Sequence, residues 1–397
     1  MLVDVAEETP THRAAIAGLL TLRLIDHWVL AGAVMVEPES ASVRAVRQAI
    51  MAIAANDPQR EVLLGVVNTM QTLREVDMQP VLPRLFAYAG ILEKRGMLEL
   101  AADAYESVIR HGDGEYDGDV VIDSHMRLGF CRRLLGLLSE AEDAYAQAGK
   151  IAKRRQEPAR VLHARIGVAK VSMERGNLPD ADLMLGEIAK ECARSGFEKI
   201  QAMALHDQAT VAIKRGDHSR AVCLAYESLE RTSEASERER VLNDIAAAFV
   251  AMGRFSEART ALLISEATAV LAESRVIARL NLMSLAARAD DEKLFTTYRR
   301  ALELAVLPPE LRANYLIESA RGLRRFGERT HTYELLEEAR AIAQTHGLNR
   351  TLFEVEGMMD RENEPTIVAS DVGPAIEPDP AAHVAVGLKQ MLAEIES

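Results

Sequence analysis

The stretch Gly136-Leu137-Leu138-Ser139-Glu140-Ala141 decides how this chain is read, because a glycine followed five residues later by alanine returns along the middle of the sequence. It reappears at Gly96 and Ala101, Gly176 and Ala181, Gly216 and Ala221, and Gly253 and Ala258. Successive glycines lie 40, 40, 40 and 37 residues apart. The next of the kind, Gly327, stands 74 residues beyond Gly253, which is two steps of 37. A degenerate unit is therefore expected between them, at Ala289-Asp290-Asp291-Glu292-Lys293-Leu294. A sustained period of this size marks a solenoid, and about seven units are expected over residues 81–350.

Each turn sits between two amphipathic runs, so every unit reads as a helix pair. Leu85, Tyr88, Ala89 and Leu92, and again Leu242, Ile245, Ala246 and Phe249, recur at helical spacing and form packing faces. The glycine ends the first helix in a left-handed conformation, and an Asn, Asp or Ser after it can cap the second. The alanine lets two backbones approach, and a larger residue four further on, Tyr105, Tyr145, Leu185 or Tyr298, fills the space beyond.

Gly129, Gly136, Ala141, Tyr145 and Ala148 together resemble the tetratricopeptide pattern: a small residue at position 8, glycine at 15, alanine at 20, an aromatic or leucine at 24 and alanine at 27. Units one to five match well, whereas Leu294 and Thr332 stand at the alanine position of units six and seven. The likeness covers two thirds of the chain. The family unit is about 34 residues long, so the 36–40 residues here resemble a long-period bacterial type, similar to the sensor regions of large transcription activators. The resemblance implies an all-α, right-handed superhelical solenoid of antiparallel helix pairs.

It also implies that positions 2, 5, 6, 9, 12 and 13 of the first helices line a concave groove. On this sequence those positions give Arg127, Phe130 and Arg133, then Lys170 and Glu174, then His206, Asp207, Thr210 and Lys214. Asn243, Asp244 and Arg279 follow, with Glu318, Arg321, Arg324 and Arg325 in the last unit. The Lys and Asn clamp by which some relatives hold a chaperone's terminal carboxylate is not reproduced. The implied role is a noncatalytic interaction scaffold or adaptor that binds a peptide or helix of another protein in the groove. The alternative is a regulatory sensor whose groove holds a small ligand or the chain's own C-terminal helix.

Composition narrows this further. Only 4% of residues are aromatic and the 48% hydrophobic share lies among helix-favouring residues. A net charge of -13 offers phosphate backbones no general attraction, so nucleic acid is not expected as a partner. Cys131, Cys192 and Cys223 lack CxxC spacing and read as buried thiols. The apolar run from Ala14 to Val36 contains Arg23, Asp26 and His27, which a membrane span tolerates poorly. The acidic start, Met1 to Glu8, does not fit a secretory signal, so a cytoplasmic protein with no membrane partner is expected.

Residues 1–80 read as an N-terminal helical cap, with Thr11, Ser40 and Asp57-Pro58 as helix starts. Residues 351–379 read as an acidic flexible linker, and 380–397 as an amphipathic helix carrying Val384, Leu388, Met391, Leu392 and Ile395 on one face. No GxxxxGK[ST], GxGxxG, GxSxG, HExxH or paired CxxC occurs, so no enzyme, cofactor or metal is expected. Asp113 to Asp119 starts like a calcium loop, but Ser124 stands where the bidentate Glu is required. That stretch reads as an inter-repeat turn.

Overall fold

The turn glycines set the backbone plan. Gly96, Gly136, Gly176, Gly216, Gly253 and Gly327 adopt φ between 72° and 87°, the left-handed region that costs glycine no Cβ clash. The residue after each then donates back into the finished helix, as Met97 N–H does to Leu92 O (3.0 Å) and Leu137 N–H to Arg132 O (2.9 Å). That bond satisfies a carbonyl the helix end would otherwise leave open. Side-chain capping of the second helix is rarer than expected: Asp217 accepts from Arg220 N (3.2 Å), whereas Met97, Leu137 and Arg254 offer no capping oxygen.

The computed structural model describes residues 10–31, 40–73, 75–113, 118–328, 331–360 and 380–397. Every regular element among them is an α-helix. The helices fall into two compact units, Met1–Ile188 and Ala189–Ser397.

In Met1–Ile188, α1 (Pro10–Ala31), α2 (Ala41–Met51) and α3 (Pro58–Thr72) precede the paired helices α4 (Leu82–Lys94), α5 (Leu98–His111), α6 (Gly118–Leu134), α7 (Leu138–Arg154) and α8 (Pro158–Glu174). Ser40 accepts from Val43 N (3.3 Å) and Asp57 from Gln59 N (2.9 Å), which starts α2 and α3. By length and composition α1 could cross a membrane. Here it buries Ala14, Ala17, Leu24, Ile25 and Trp28 in one core with α2, α3 and α4. The middle of the loop between α5 and α6, residues 114–117 of the calcium-like stretch, lies outside the described residues.

The alanine positions are the close crossings that the spacing predicts. Ala101 and Ala141 are fully buried, and Tyr145 occupies the space beyond. A Cβ on Gly129 or Gly167 would run into the Tyr145 ring, so both glycines exist to seat that ring between α6 and α8.

Helix α9 (Leu178–Ser195) spans the division between the units. In Ala189–Ser397 follow α10 (Glu198–Lys214), α11 (His218–Arg231), α12 (Ala235–Ala251), α13 (Phe255–Thr268), α14 (Ala272–Arg288), α15 (Glu292–Glu303), α16 (Pro309–Arg325) and α17 (Thr332–Thr345). Then come α18 (Asn349–Asp360) and α19 (Ala382–Glu396). First helices neighbour first helices, α10 to α12, α12 to α14 and α14 to α16.

The degenerate sixth unit is shifted by one residue from the expected frame. Asp290, not Ala289, takes the left-handed turn at φ 57°, and Asp291 caps α15 by accepting from Leu294 N (3.0 Å). Aspartate tolerates this conformation better than most residues. Phe295, not Leu294, therefore enters the alanine slot, where it is 1% exposed. Gly322 on α16 makes room, since a Cβ there would collide with the Phe295 ring.

The linker expected from residue 351 fails over its first part. Residues 349–360 form α18, which packs on α17 and buries Thr351 and Val355. The acidic side chains hid an apolar stripe of Val355, Met358 and Met359 that joins the core of α14, α16 and α17. Residues 361–379 lie outside the described residues.

Candidate functional site

The first-helix positions in Met1–Ile188 are occupied by their own partners. On α6, Arg127 Nε donates to Glu93 Oε2 of α4 (2.7 Å), and Tyr105 Oη donates to the same oxygen (3.0 Å). Arg133 bonds Glu174 of α8, the candidate residue one unit on. Both guanidiniums flank Phe130, at 4.8 and 5.6 Å from its ring centre, a cation–π stack. Burial lowers the Arg127 pKa, while Glu174 and Tyr145 hold Arg133 above its usual value against its own burial. Lys170 on α8 also interacts within the chain.

In Ala189–Ser397 the same face carries a polar ladder. His206 Nε2 and Asp244 Oδ2 are 2.7 Å apart, joining α10 to α12, and Asn281 Nδ2 donates to Asn243 Oδ1 at 2.9 Å, joining α14 to α12. Each pair spans 38 residues, so the same two positions are linked at the period of the fold, once by imidazole and carboxylate and once by two amides. Thr210 Oγ1 closes on His206 O (3.1 Å), Asp207 is not free, and Lys214 is exposed at the end of α10.

Beside the Asn243–Asn281 link the face opens into a cleft of about 200 Å³ between α12 and α14. Ala246, Ala247, Val250 and Leu285 form its apolar floor, while Ser284 and Arg288 stand at its α14 edge. Asn281, Ser284 and Arg288 are not among the groove residues expected from the sequence, because a sixth unit framed on Ala289 passes over them. Framed on Asp290, the same positions fall on those three residues. The signal was in the sequence, as Asp290-Asp291 supplies both a left-handed turn residue and a helix cap.

The same shift corrects Arg279. It donates to Glu266 Oε1 of α13 (2.7 Å) and lines a recess beneath α19 rather than the cleft. The basic cluster on α16 is not a set of uncommitted cations either. Arg321 bonds Glu318 and reaches Glu354 Oε1 of α18 (2.6 Å), and Arg325 grips Asp290 with two bonds of 2.6 and 2.7 Å. Arg324 also has an interaction within the chain. An incoming carboxylate would have to displace these partners.

The C-terminal helix does not enter this face. α19 packs on α13 and α11, the second helices, with Ala381, Val384 and Leu388 fully buried in their shared core. Its small and apolar residues fit the second-helix surface, whereas the first-helix face sets amides and charges around a small apolar floor.

No protein-family profile and no curated protein sequence matches the chain. Solved structures do. The apo form of the quorum sensor NprR from B. thuringiensis is 13% identical, with a TM-score of 0.51 over 80% of this chain and 97% of that one. The Rap conjugation gene regulator of plasmid pLS20, in complex with the Phr* peptide, is 12% identical over 90% of this chain and 99% of that one, with a TM-score of 0.45. A tetratricopeptide repeat protein from Parabacteroides merdae ATCC 43184 is 15% identical over 69% and 98%, with a TM-score of 0.44. At such identities only architecture is transferred, and the chain has the all-α helix-pair repeat fold of the tetratricopeptide type.

Proposed function

We propose that the chain is a noncatalytic adaptor that binds an extended peptide of another protein on the first-helix face of Ala189–Ser397, centred on the α12–α14 cleft. The observation that carries this reading is the Asn243–Asn281 link at the cleft edge. An amide side chain has two donors and two acceptor lone pairs, so the link leaves Asn243 its donors and Asn281 its acceptor. That spare set is complementary to the carbonyl and N–H of a peptide backbone. Arg288 has no carboxylate partner among the described residues and can take a carboxylate of the ligand.

A sensor reading shares this site, with the bound peptide as the signal. It is in keeping with the fold shared with NprR, itself described as a quorum sensor. A drug-sized ligand usually fills about 300–1,000 Å³, and the smaller cleft here suits one or two residues of a longer peptide. The position of α19 on α11 and α13 leaves the version with the chain's own helix in the groove without support.

Selection of random heptapeptides on the full chain, followed by titration against Asn243→Ala and Asn281→Ala, tests the reading. Each variant should bind the selected peptides roughly 5- to 10-fold more weakly, the worth of one hydrogen bond. Unchanged affinity in both variants would sink it.

A further inference from the structure

One helix, α13, has a candidate site on each side. Its Leu262 forms part of the α12–α14 cleft. Its next residue, Leu263, with Glu266, lines a recess of about 420 Å³ together with Arg279 of α14 and Leu392 and Ile395 of α19. Ala381 at the start of α19, Val384 and Leu388 of α19, and Leu262, Ala246 and Leu285 of the cleft share a single buried core. A displacement of α13 on one side is therefore felt on the other, because close-packed interiors transmit strain.

The seat of α19 has the features of a recognition site rather than of a helix resting on a surface. Gly387 lies against the Tyr226 hydroxyl so closely that a Cβ would collide with it, which keys the register of the helix. His383 meets the Tyr226 ring edge-on at 6.3 Å, and Cys223 Sγ donates to Pro380 O at 3.3 Å. Arg238 Nη2 reaches Met391 Sδ at 3.6 Å. No ion pair joins α19 to the other described helices, and its outward side, with Val386, Lys389 and Gln390, is exposed. Binding rests mainly on apolar contact and one steric key, with the Cys223, Arg238 and His383 contacts at its rim, the way an amphipathic helix enters a groove.

We propose that the α11–α13 surface is a releasable helix-binding site, occupied in cis by α19, whose occupancy changes the affinity of the α12–α14 cleft through α13. The coupling rests on the peptide-binding reading; the helix-binding site does not. A tethered helix competes at an effective concentration of roughly millimolar order, so wild-type chain should exclude the same helix offered in trans.

The test uses the full chain carrying Gly387→Val, which forces α19 off Tyr226, and a fluorescein-labelled peptide of the Pro380–Ser397 sequence as probe. The variant should bind the probe at least ten-fold more tightly than the wild-type chain, and a probe carrying the same G387V change should bind neither. Equal binding to both chains, or indifference to the substitution in the probe, would overturn the site. Hydrogen exchange on the unmodified chain tests release without a mutation. α19 amides should exchange before those of α11 and α13, in step with Cys223 alkylation, since Cys131 and Cys192 are buried. Exchange only together with α11 and α13 would overturn release. For the coupling, peptides selected on the wild-type cleft should shift at least three-fold in affinity in the G387V chain; no shift overturns it. Failure of the Asn243 and Asn281 variants to weaken those peptides would instead strike the cleft itself.

Discussion

The first-helix faces of the two units join neighbouring helices with opposite results. Around α6, Arg127 and Arg133 meet Glu93 and Glu174 and clasp Phe130 between them. Around α12 and α14 an amide pair, Asn243 and Asn281, makes the link instead, and the face opens into a cleft. The difference lies in what a pair leaves over. An Arg–Glu pair consumes the charge of both partners, and a ligand must break it before it can bind. An amide pair joins the helices and still offers donors and acceptors. A list of groove positions therefore does not identify a ligand site until the neighbouring unit is known to satisfy them or not.

The largest expected effects test the packing beneath the two faces. Phe295→Ala should cost about 3–5 kcal/mol, the price of an aromatic cavity, and Gly167→Val, which overpacks Tyr145, roughly 1–3 kcal/mol. Denaturant midpoints measure both, and a loss below about 1 kcal/mol in F295A would mean that the neighbouring helices collapse into the space.

A second test concerns pH in Met1–Ile188. Burial, with help from the Arg132 charge, pushes His125 down from 6.5 to about 4, and its buried Nδ1 has no hydrogen-bond partner among the described residues. The unfolded chain takes up this proton near 6.5 and the folded chain only near 4. Stability is therefore undiminished above pH 6.5 and falls between 6.5 and 4, by about 1–3 kcal/mol. His125→Gln should flatten that part of the profile. An unchanged slope in the variant would place the acid sensitivity elsewhere.

Ligand binding should separate the faces directly. Asn281→Ala should lose about 1 kcal/mol of peptide affinity, while Arg127→Ala and Arg133→Ala leave it within about two-fold. The reverse pattern by fluorescence titration would move the site to α6. The smallest effect is expected at Arg325→Ala, which should leave stability nearly unchanged, since Arg325 and Asp290 form an exposed, solvent-screened ion pair. A larger loss of stability would show that the bond holds the Asp290 turn, not only its charge.

Much of the fold was legible because turn chemistry is local. Gly136 five residues before Ala141, repeated at nearly constant period, fixes a left-handed helix end and a close helix crossing with no distant information. The same logic failed by one residue at Ala289-Asp290, where aspartate does the work of glycine, and that slip hid Asn281, Ser284 and Arg288 while placing Arg279 on the wrong side. It failed again over residues 351–360, where an acidic composition masked the apolar stripe of α18.

The sequence by itself determined that the chain folds as helix pairs and roughly where each pair turns, because helix ends and apolar periodicity act over a few residues. Only tertiary structure decided which candidate side chains remain available. Arg127 loses its availability to Glu93, 34 residues away, and Arg325 to Asp290, 35 residues away. Those partners are neighbours in space through the stacking of successive units. Likewise the amphipathic face of α19 was plain in the sequence, but its destination on α11 and α13 was set by Gly387 fitting against Tyr226, a match of shape that no local pattern contains.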